Sequence, residues 1–246
     1  TIHLPPNYIK GPNLPGRKEL AEYYAMITSI DDQVGRLMKA LDEFDMAEDT
    51  IFLFSSDHGD MLGSQGKVLK RKPWEESVRV PGILRYPRKV KAGRNEEALF
   101  SHIDFLPTLL GLCGIAPDVK VQGTDLSQLI LGKNKNSPES VFFQIFGPSL
   151  ACNTPEGWRG MRTNRYKYAR FKEKPWVLYD LKEDPYEMNN LANEHVARKL
   201  ITEMDRKIDE WMSRTGDSWN YNWTYPIEDN GCLYKSKTFY TIDEYL

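Results

Sequence analysis

The sequence has 246 residues, of which 40% are hydrophobic and 28% charged, as is usual for a globular protein with one large or two small cores. Lysine and arginine (33) nearly balance aspartate and glutamate (35), and the net charge of −2 gives no reason to expect a nucleic-acid or membrane partner. No apolar run approaches the roughly 20 residues of a membrane helix, and three cysteines without metal-ligand spacing leave the redox compartment undecided.

The first part of the chain alternates between helical and strand patterns. A long helix is predicted from about Arg17 to Phe44, because apolar residues recur at three- and four-residue steps and form one stripe that we expect to be buried. The apolar run Thr50–Ser55 predicts a strand buried on both faces, as in a parallel sheet. A second strand is predicted around Gly82–Tyr86 and a helix near Ile103–Cys113, an order that favours an α/β architecture. The stripe of the long helix consists of Leu20, Tyr23, Tyr24, Ile27, Ile30, Val34, Leu37, Met38 and Leu41.

The pattern changes after about residue 147. Short aromatic-rich stretches, Tyr166–Phe171 and Trp176–Leu181, alternate with turn residues and predict a small antiparallel sheet. A closing helix is predicted from about Glu194 to Met212, and the tail Thr215–Leu246 is interpreted as an extended wrap over the body. We therefore predict two domains, residues 1–147 and 148–246. The predicted apolar face of the closing helix holds Val196, Leu200, Met204, Ile208 and Trp211.

A candidate metal site follows the first strand in the segment Ser55-Ser-Asp-His-Gly-Asp60. Ligands gather beyond the carboxyl ends of strands in open parallel sheets. Asp57 and His58 can point at one ion there, while Gly59 lets the backbone turn away. From these residues alone a second interpretation stays open, in which Asp57 caps the next helix and His58 is a surface histidine.

A candidate anion-binding lysine follows in the next segment. Gly63-Ser-Gln-Gly66 is interpreted as a flexible loop, and Lys67 and Lys70 come directly after it. A lysine placed after such a loop can reach an anionic tetrahedral group as a compact cation. The alternative is a solvated basic run, because Arg71 and Lys72 continue the cluster.

These segments together resemble the sulfatase pattern of the alkaline phosphatase superfamily. The resemblance rests first on Ser56-Asp57-His58-Gly59-Asp60, on Gly63-x-x-Gly66-x-x-x-Lys70, and on Trp74-Glu75-Glu76-x-x-Arg79-Val80-Pro81. It extends over roughly residues 5–220 and implies part of a sulfatase-type sheet flanked by helices, followed by a small antiparallel sheet with a C-terminal helix. Further matching segments are Tyr23–Ile27, Asp31–Gly35, Ile103–Leu110, Gln122–Leu126, Trp158–Tyr168 and Leu178–Leu191.

The resemblance assigns roles to particular residues. In similar sulfatases an aspartate and the residue after it bind a divalent cation, usually calcium, and these positions fall on Asp57 and His58. An imidazole ligand leaves the metal identity open, because calcium prefers oxygen while imidazole suits transition metals. The lysine that contacts the sulfate falls on Lys70, with Lys67 as the alternative, and Gln65 stands where many relatives have histidine.

The resemblance also implies catalytic parts that this sequence lacks. The family nucleophile is a formylglycine made from the first residue of Cys/Ser-x-Pro-x-Arg, and none of the three cysteines is followed by that pattern. The upstream Asp-Asp metal pair is missing as well. We therefore expect this chain to be the C-terminal part of a larger enzyme and to be inactive by itself.

The expected activity of the parent protein is sulfuric ester hydrolysis. The alternatives are phosphonate or phosphate ester hydrolysis and a catalytically silent fragment or binding domain. The implied partner is a sulfated small molecule or glycan, with possible self-association through the surface left by the missing half. By family analogy the protein is expected to be periplasmic, secreted or lysosomal.

Several polar residues have a structural interpretation beside a functional one. Glu75, Glu76 and Arg79 are interpreted as a structural ion network, and His102-Ile-Asp104 as a helix start capped by Asp104 or Ser101. Trp158 and Arg159 can line a substrate pocket or pack in a core. Arg159 is carried forward as a candidate substrate-binding residue.

Overall fold

A computed structural model describes residues 2–147 and 156–219 with their side chains, together with the backbone of two strands at 223–229 and 232–239. The chain divides into two compact units. Unit 1 comprises residues 1–69 and 79–139, and unit 2 comprises residues 70–78 and 140–246. Residues 70–78 therefore belong with the C-terminal unit although they lie between two segments of unit 1. None of the helices in the described ranges has the length and apolar character needed to cross a membrane.

Helices and strands cover most of the predicted positions. In chain order they are α1 (Arg17–Glu43), β1 (Phe52–Ser55), α2 (Glu75–Val78), β2 (Gly82–Arg85), α3 (Phe105–Cys113), α4 (Ser127–Ile130), β3 (Val141–Ile145), β4 (Trp158–Arg162), β5 (Tyr166–Arg170), β6 (Pro175–Asp180), α5 (Arg198–Thr215), β7 (Trp223–Asp229) and β8 (Cys232–Phe239). Single 3-10 turns precede α3 and α5 at His102–Asp104, Leu191–Asn193 and His195–Ala197. The predicted class, a partial sheet with helices followed by an antiparallel sheet and a C-terminal helix, is confirmed.

The apolar stripe of α1 is not buried, so this expectation was wrong. Leu20 is the buried residue of the helix, whereas Tyr24, Ile27 and Ile30 are about half exposed. The helix itself forms as predicted, because its 27 residues follow local periodicity and Glu19 accepts a hydrogen bond from the Gly16 amide at 2.8 Å. Within the described residues, however, the stripe is left largely uncovered.

The direction of strand pairing in unit 1 was also predicted wrongly. β1 and β2 pair antiparallel, with Phe52 opposite Arg85 and Ser55 opposite Gly82. Residues 52–55 are half-buried, not buried on both faces. An apolar run marks a strand, but the direction of its partner depends on a connection of more than twenty residues that hydrophobicity does not encode.

The start of α3 confirms the structural interpretation of His102-Ile-Asp104. Asp104 is buried, and its carboxylate accepts hydrogen bonds from the amides of Ser101 at 2.8 Å and Thr124 at 2.7 Å. Gly123 lies where a Cβ atom would come within 1.9 Å of the Ile103 carbonyl oxygen. Asp104 thus holds residues 123–124 against the start of the helix. Only glycine can occupy position 123, because any side chain there would clash with the Ile103 carbonyl.

Unit 2 is built on a four-stranded antiparallel sheet in the order β3-β4-β5-β6. One face of this sheet packs against α5, where Met161, Tyr168 and Leu178 meet Met204 and Ile208 in a buried cluster. Two predicted members of the helix face behave differently. Val196 lies before the helix and is 89% exposed, and the Trp211 ring stacks on Phe142 at 5.8 Å. β7 and β8 pair with each other, and the side chains of the predicted wrap beyond Trp219 lie outside the described residues.

Candidate functional site

Asp57 and His58 stand together at the carboxyl end of β1. The His58 Nε2 atom lies 3.4 Å from Asp57 Oδ2, and the two side chains are 40% and 84% exposed. His58 Nδ1 lies 2.8 Å from the Gly59 carbonyl oxygen, which can only accept a hydrogen bond. This contact assigns a ring proton to Nδ1 and places Nε2 on the Asp57 side of the ring. A backbone carbonyl that orients a histidine in this way is typical of metal-ligating histidines.

The backbone before this pair is held from several sides. The Ser55 hydroxyl donates to the Pro81 carbonyl at 2.9 Å, and the Ser56 hydroxyl donates to the His58 carbonyl at 2.7 Å. His102 Nε2 lies 2.8 Å from the Ser56 carbonyl oxygen. His102 was interpreted from sequence only as part of a helix start, and its contact with the residue before Asp57 was missed because the two are 46 positions apart in the chain.

The segment 61–69, which contains the predicted loop Gly63–Gly66, is closed by hydrogen bonds between its own residues and Asp60. Asp60 Oδ1 accepts hydrogen bonds from the amides of Leu62 at 3.0 Å and Leu69 at 3.1 Å, so one carboxylate closes the loop. The Met61 amide donates to the Leu69 carbonyl at 2.9 Å, and the Gly63 amide donates to the Lys67 carbonyl at 2.8 Å. Asp60 belongs to the quoted motif, but the sequence indicated no role for it.

The N-terminal segment 7–9 packs on the same loop. The Gln65 amide donates to the Asn7 carbonyl at 2.8 Å, and the Ile9 amide donates to the Gly63 carbonyl at 3.0 Å. Gly63 has φ of +96°, and a Cβ atom there would lie 2.5 Å from the Tyr8 ring. Both the left-handed conformation and the close approach of Tyr8 require glycine at this position.

The two candidate lysines fall in different units. Lys67 lies in unit 1 and takes part in the loop through its backbone, which donates to the Ser64 carbonyl at 2.9 Å. Lys70 is the first residue of the segment 70–78 of unit 2. It stands between two residues in the left-handed region, Leu69 with φ of +62° and Arg71 with φ of +69°. Both lysines are half-buried.

Glu75 belongs to a buried ion network in unit 2 with Arg162, Lys167 and Glu187, three residues that the prediction of a network with Glu76 and Arg79 did not include. Its Oε1 atom lies 2.6 Å from Lys167 Nζ and 3.1 Å from Arg162 Nε, and Lys167 Nζ lies 2.7 Å from Glu187 Oε1. Burial alone would raise the pKa of Glu75, but its pairs with Lys167 and Arg162 outweigh that effect and lower the pKa. Burial raises the pKa of Glu187, and its pair with Lys167 does not compensate fully.

Arg159, the candidate substrate-binding residue, lies in the interior of unit 2 and is 1% exposed. Its guanidinium forms a two-point ion pair with Asp217, with one contact of 2.8 Å between Nη2 and Oδ1. The same group lies 4.9 Å from the Phe146 ring centre and 4.5 Å from that of Trp219. This placement favours the core-packing alternative over contact with a substrate.

A complete metal site is not formed by the described residues. Within residues 2–147 and 156–219, acidic, histidine and cysteine side chains do not come together in groups of three or more. Calcium takes six to eight oxygen ligands. Asp57 and His58 carry donor atoms of the type that a divalent cation accepts, and a cation held there would need further ligands.

Two family models match the chain. The model described as N-sulphoglucosamine sulphohydrolase, C-terminal, matches residues 63–214, which is more than half of the chain. The model described as sulfatase matches residues 3–115. The two matches overlap at residues 63–115, the region that holds residues 63–69 of the loop and both candidate lysines.

The chain is also similar to individual sulfatases and to a phosphonate monoester hydrolase. The chain is 33% identical over 245 residues to an ulvan-active sulfatase of Formosa agariphila, covering 96% of this chain and 48% of the relative. It is similar to the structure of BT4656 in complex with its substrate D-glucosamine-2-N,6-O-disulfate, with a TM-score of 0.75, 27% identity and coverage of 84% and 44%. It is also similar to the phosphonate monoester hydrolase of Agrobacterium radiobacter, with a TM-score of 0.67, 25% identity and coverage of 88% and 44%. The chain thus spans about half the length of the proteins it matches.

Proposed function

The chain belongs to the sulfatase family of the alkaline phosphatase superfamily, and from this membership we propose that the complete protein hydrolyses sulfuric esters. The observation that carries the proposal is the pair formed by Asp57 and His58 at the end of β1, where His58 Nε2 and Asp57 Oδ2 lie 3.4 Å apart and face one another. Family membership supplies the reaction class, and the pair supplies a point where charge can be stabilised.

The residues of this chain take the following proposed roles. Asp57 and His58 contribute two ligands to a divalent cation, proposed as calcium, which when bound polarises an ester oxygen as a Lewis acid. Lys70 places a positive charge at the sulfuryl group. The nucleophile, proposed as formylglycine, is supplied by a part of the protein outside this sequence. Lys67 is kept as the alternative to Lys70, and Arg159 is not given a direct role because it is buried against Asp217.

A sulfated sugar is the proposed substrate class. Support comes from BT4656, whose structure contains a disulfated glucosamine as its substrate, and from the ulvan-active sulfatase. By the same analogy we propose a periplasmic, secreted or lysosomal location.

Phosphonate ester hydrolysis is the second candidate, favoured by the similarity to a phosphonate monoester hydrolase at 25% identity. Both reactions place a tetrahedral anion near a cation and a lysine, so the residues of this chain fit either one. The two candidates are separated by comparing kcat/KM on matched aryl esters of sulfate and phenylphosphonate with the complete protein.

The experiment that tests the proposal combines turnover and cation binding. We expect the complete protein to hydrolyse the sulfate ester faster than the phosphonate ester, while the 246-residue chain alone stays at background. We expect Asp57→Asn to weaken calcium affinity, measured by calorimetry, by at least roughly tenfold, since even outer-shell changes at metal sites cost 10–100-fold. Asp49→Asn, which removes an exposed carboxylate paired with Arg88, is the matched control. Faster phosphonate turnover, or equal calcium affinity in both variants, would contradict the proposal.

The uncovered stripe of α1 leads to a proposal on self-association of the 246-residue chain. Exposed apolar patches of this kind mark contact surfaces, and Ile27 and Ile30 lie on the stripe. We expect sedimentation velocity to show concentration-dependent association, reduced by Ile27→Glu. Ala25→Glu adds the same charge about 200° around the helix and is expected to leave association unchanged. A chain that stays monomeric at all concentrations would contradict this proposal.

A further inference from the structure

Residues 70–78 form a strap that lies on the sheet of unit 2, and they include α2. The strap is held by side chains that share one sheet face. Arg162 pairs across the strands with Lys167, and Lys167 pairs with Tyr179, so these three side chains point the same way. Trp158 lies four residues before Arg162 on β4 and therefore faces the same side. The strap thus covers the face opposite to that covered by α5.

The first attachment is next to Lys70. The Trp158 indole donates from Nε1 to the Arg71 carbonyl at 3.1 Å. The Arg71 side chain in turn donates from Nη2 to the Gly147 carbonyl at 3.1 Å. Trp158 is fully buried, so its indole N–H depends on this acceptor. The backbone that follows Lys70 is therefore fixed by a rigid ring.

The second attachment is at Trp74. Its indole Nε1 donates to the Tyr179 hydroxyl at 3.0 Å, and both side chains are buried. The edge of the Trp74 ring also packs on Trp176, with ring centres 5.5 Å apart. Loss of the Tyr179 hydroxyl would leave a buried N–H without this acceptor and would favour a shifted strap.

The third attachment is at the start of α2. The Glu75 amide donates to Glu187 Oε2 at 2.7 Å, while Glu187 Oε1 pairs with Lys167. Glu187 has φ of +56°, a left-handed conformation that is uncommon outside glycine, asparagine and aspartate. Asp184 supports the turn that holds it by accepting from the amides of Met188 and Asn189. The residue with this strained backbone is thus the one whose carboxylate accepts the hydrogen bond from the strap.

From these contacts we infer that Trp158, Tyr179 and Glu187 are positioning residues for Lys70. This inference rests on the proposed function, in which the Lys70 ammonium acts on the sulfuryl group. The strap is held on both sides of Lys72 and Pro73, and Lys70 is followed directly by the residue whose carbonyl Trp158 binds. The C-terminal sheet therefore sets where the Lys70 side chain begins.

The sheet provides a matched control for the test. Tyr168 on β5 is buried like Tyr179, but it lies on the opposite face, and its hydroxyl donates to Asp205 of α5 at 2.8 Å. Tyr168→Phe and Tyr179→Phe therefore each remove one buried tyrosine hydroxyl from the same sheet. Only Tyr179→Phe removes a contact with the strap.

The experiment measures kcat and KM of the complete protein on one sulfate ester for both variants, alone and combined with Lys70→Ala. We expect Tyr179→Phe to lower kcat by about tenfold, because misplacing a reacting group by about 1 Å can cost up to 10²-fold. Tyr168→Phe should change kcat by less than about twofold, although the melting temperatures of both variants should fall by similar amounts. In the Lys70→Ala background Tyr179→Phe should have no further effect on kcat, since the two changes act through one group. If Tyr179→Phe fails to fold, Trp158→Phe replaces it.

The outcomes separate this inference from the proposed function. Absence of sulfate ester turnover, or normal activity of Lys70→Ala, would overturn the proposed role of Lys70 and the inference with it. A severe loss for Lys70→Ala, together with equal effects of the two tyrosine variants, would overturn the inference alone. The same holds if Tyr179→Phe keeps its full effect in the Lys70→Ala background.

Discussion

Replacement of Lys70 by alanine in the complete protein is expected to lower kcat/KM on a sulfate ester by on the order of 10²–10³, the usual effect of removing one preorganised electrostatic contact. Lys70 lies 13 positions after Asp57, the spacing at which the resemblance places the sulfate-binding lysine. Its ammonium is proposed to act on the leaving-group side, where negative charge grows as the ester bond breaks. The loss should therefore appear mainly in kcat.

Lys67→Ala is the matched control for this prediction. Lys67 is three residues closer to Asp57, and its backbone forms hydrogen bonds with Ser64 and Gly63 within the loop. We expect this variant to retain near-normal kcat/KM and the same thermal stability. A severe loss for Lys67→Ala with normal activity for Lys70→Ala would show that the alignment of the motif is shifted by three residues.

Lys167→Met is expected to destabilise unit 2 by about 3–5 kcal/mol, the usual cost of removing one partner from a buried ion pair. Lys167 is 1% exposed and lies between the carboxylates of Glu75 and Glu187, so its loss removes the cation that both buried carboxylates share, while Arg162 still pairs with Glu75. Urea unfolding followed by tryptophan fluorescence measures the change, since Trp74, Trp158 and Trp176 pack together in the same unit.

Lys172→Met provides the control, because Lys172 is an exposed lysine close to the same strands. We expect its free energy of unfolding to stay within about 0.5 kcal/mol of the original chain. A similar small change for Lys167→Met would mean that the buried network contributes little beyond its desolvation cost.

The destabilisation by Lys167→Met should decrease at acidic pH. Burial raises the pKa of Glu187 even beside Lys167, and without the cation both carboxylates should bind protons more readily in the folded state. The variant then gains relative stability as the pH falls. In the original chain the pKa of Glu75 is lower in the folded state than its ordinary value of 4.5. The ionised carboxylate therefore stabilises the fold above pH 4.5, and this contribution is lost as the pH falls below 4.5 toward the lowered pKa. If Lys167→Met lowers the free energy of unfolding by the same amount at about pH 7.5 and at about pH 5, the cause is lost packing and not uncompensated charge.

Local features of this protein could be derived from the sequence, because their causes lie within a few residues. The periodicity of Arg17–Glu43 predicted α1 almost to the residue, and the apolar run before Ser55 predicted β1. The motif that begins at Ser56 and the segments after it indicated the sulfatase family, which the matches over residues 3–115 and 63–214 confirm. That Asp57 and His58 lie side by side also follows from their adjacency at a strand end.

The tertiary structure decided what depends on contacts between distant residues. The stripe of α1 has the pattern of a buried face, yet burial requires a covering element that helical periodicity does not specify. The antiparallel pairing of β1 with β2 and the burial of Arg159 against Asp217 join positions 26 or more residues apart. The strap belongs to the C-terminal unit because Trp158, Lys167, Tyr179 and Glu187 satisfy its polar groups. Buried polar groups must be paired, and for the strap those partners lie some 80 to 110 residues further along the chain.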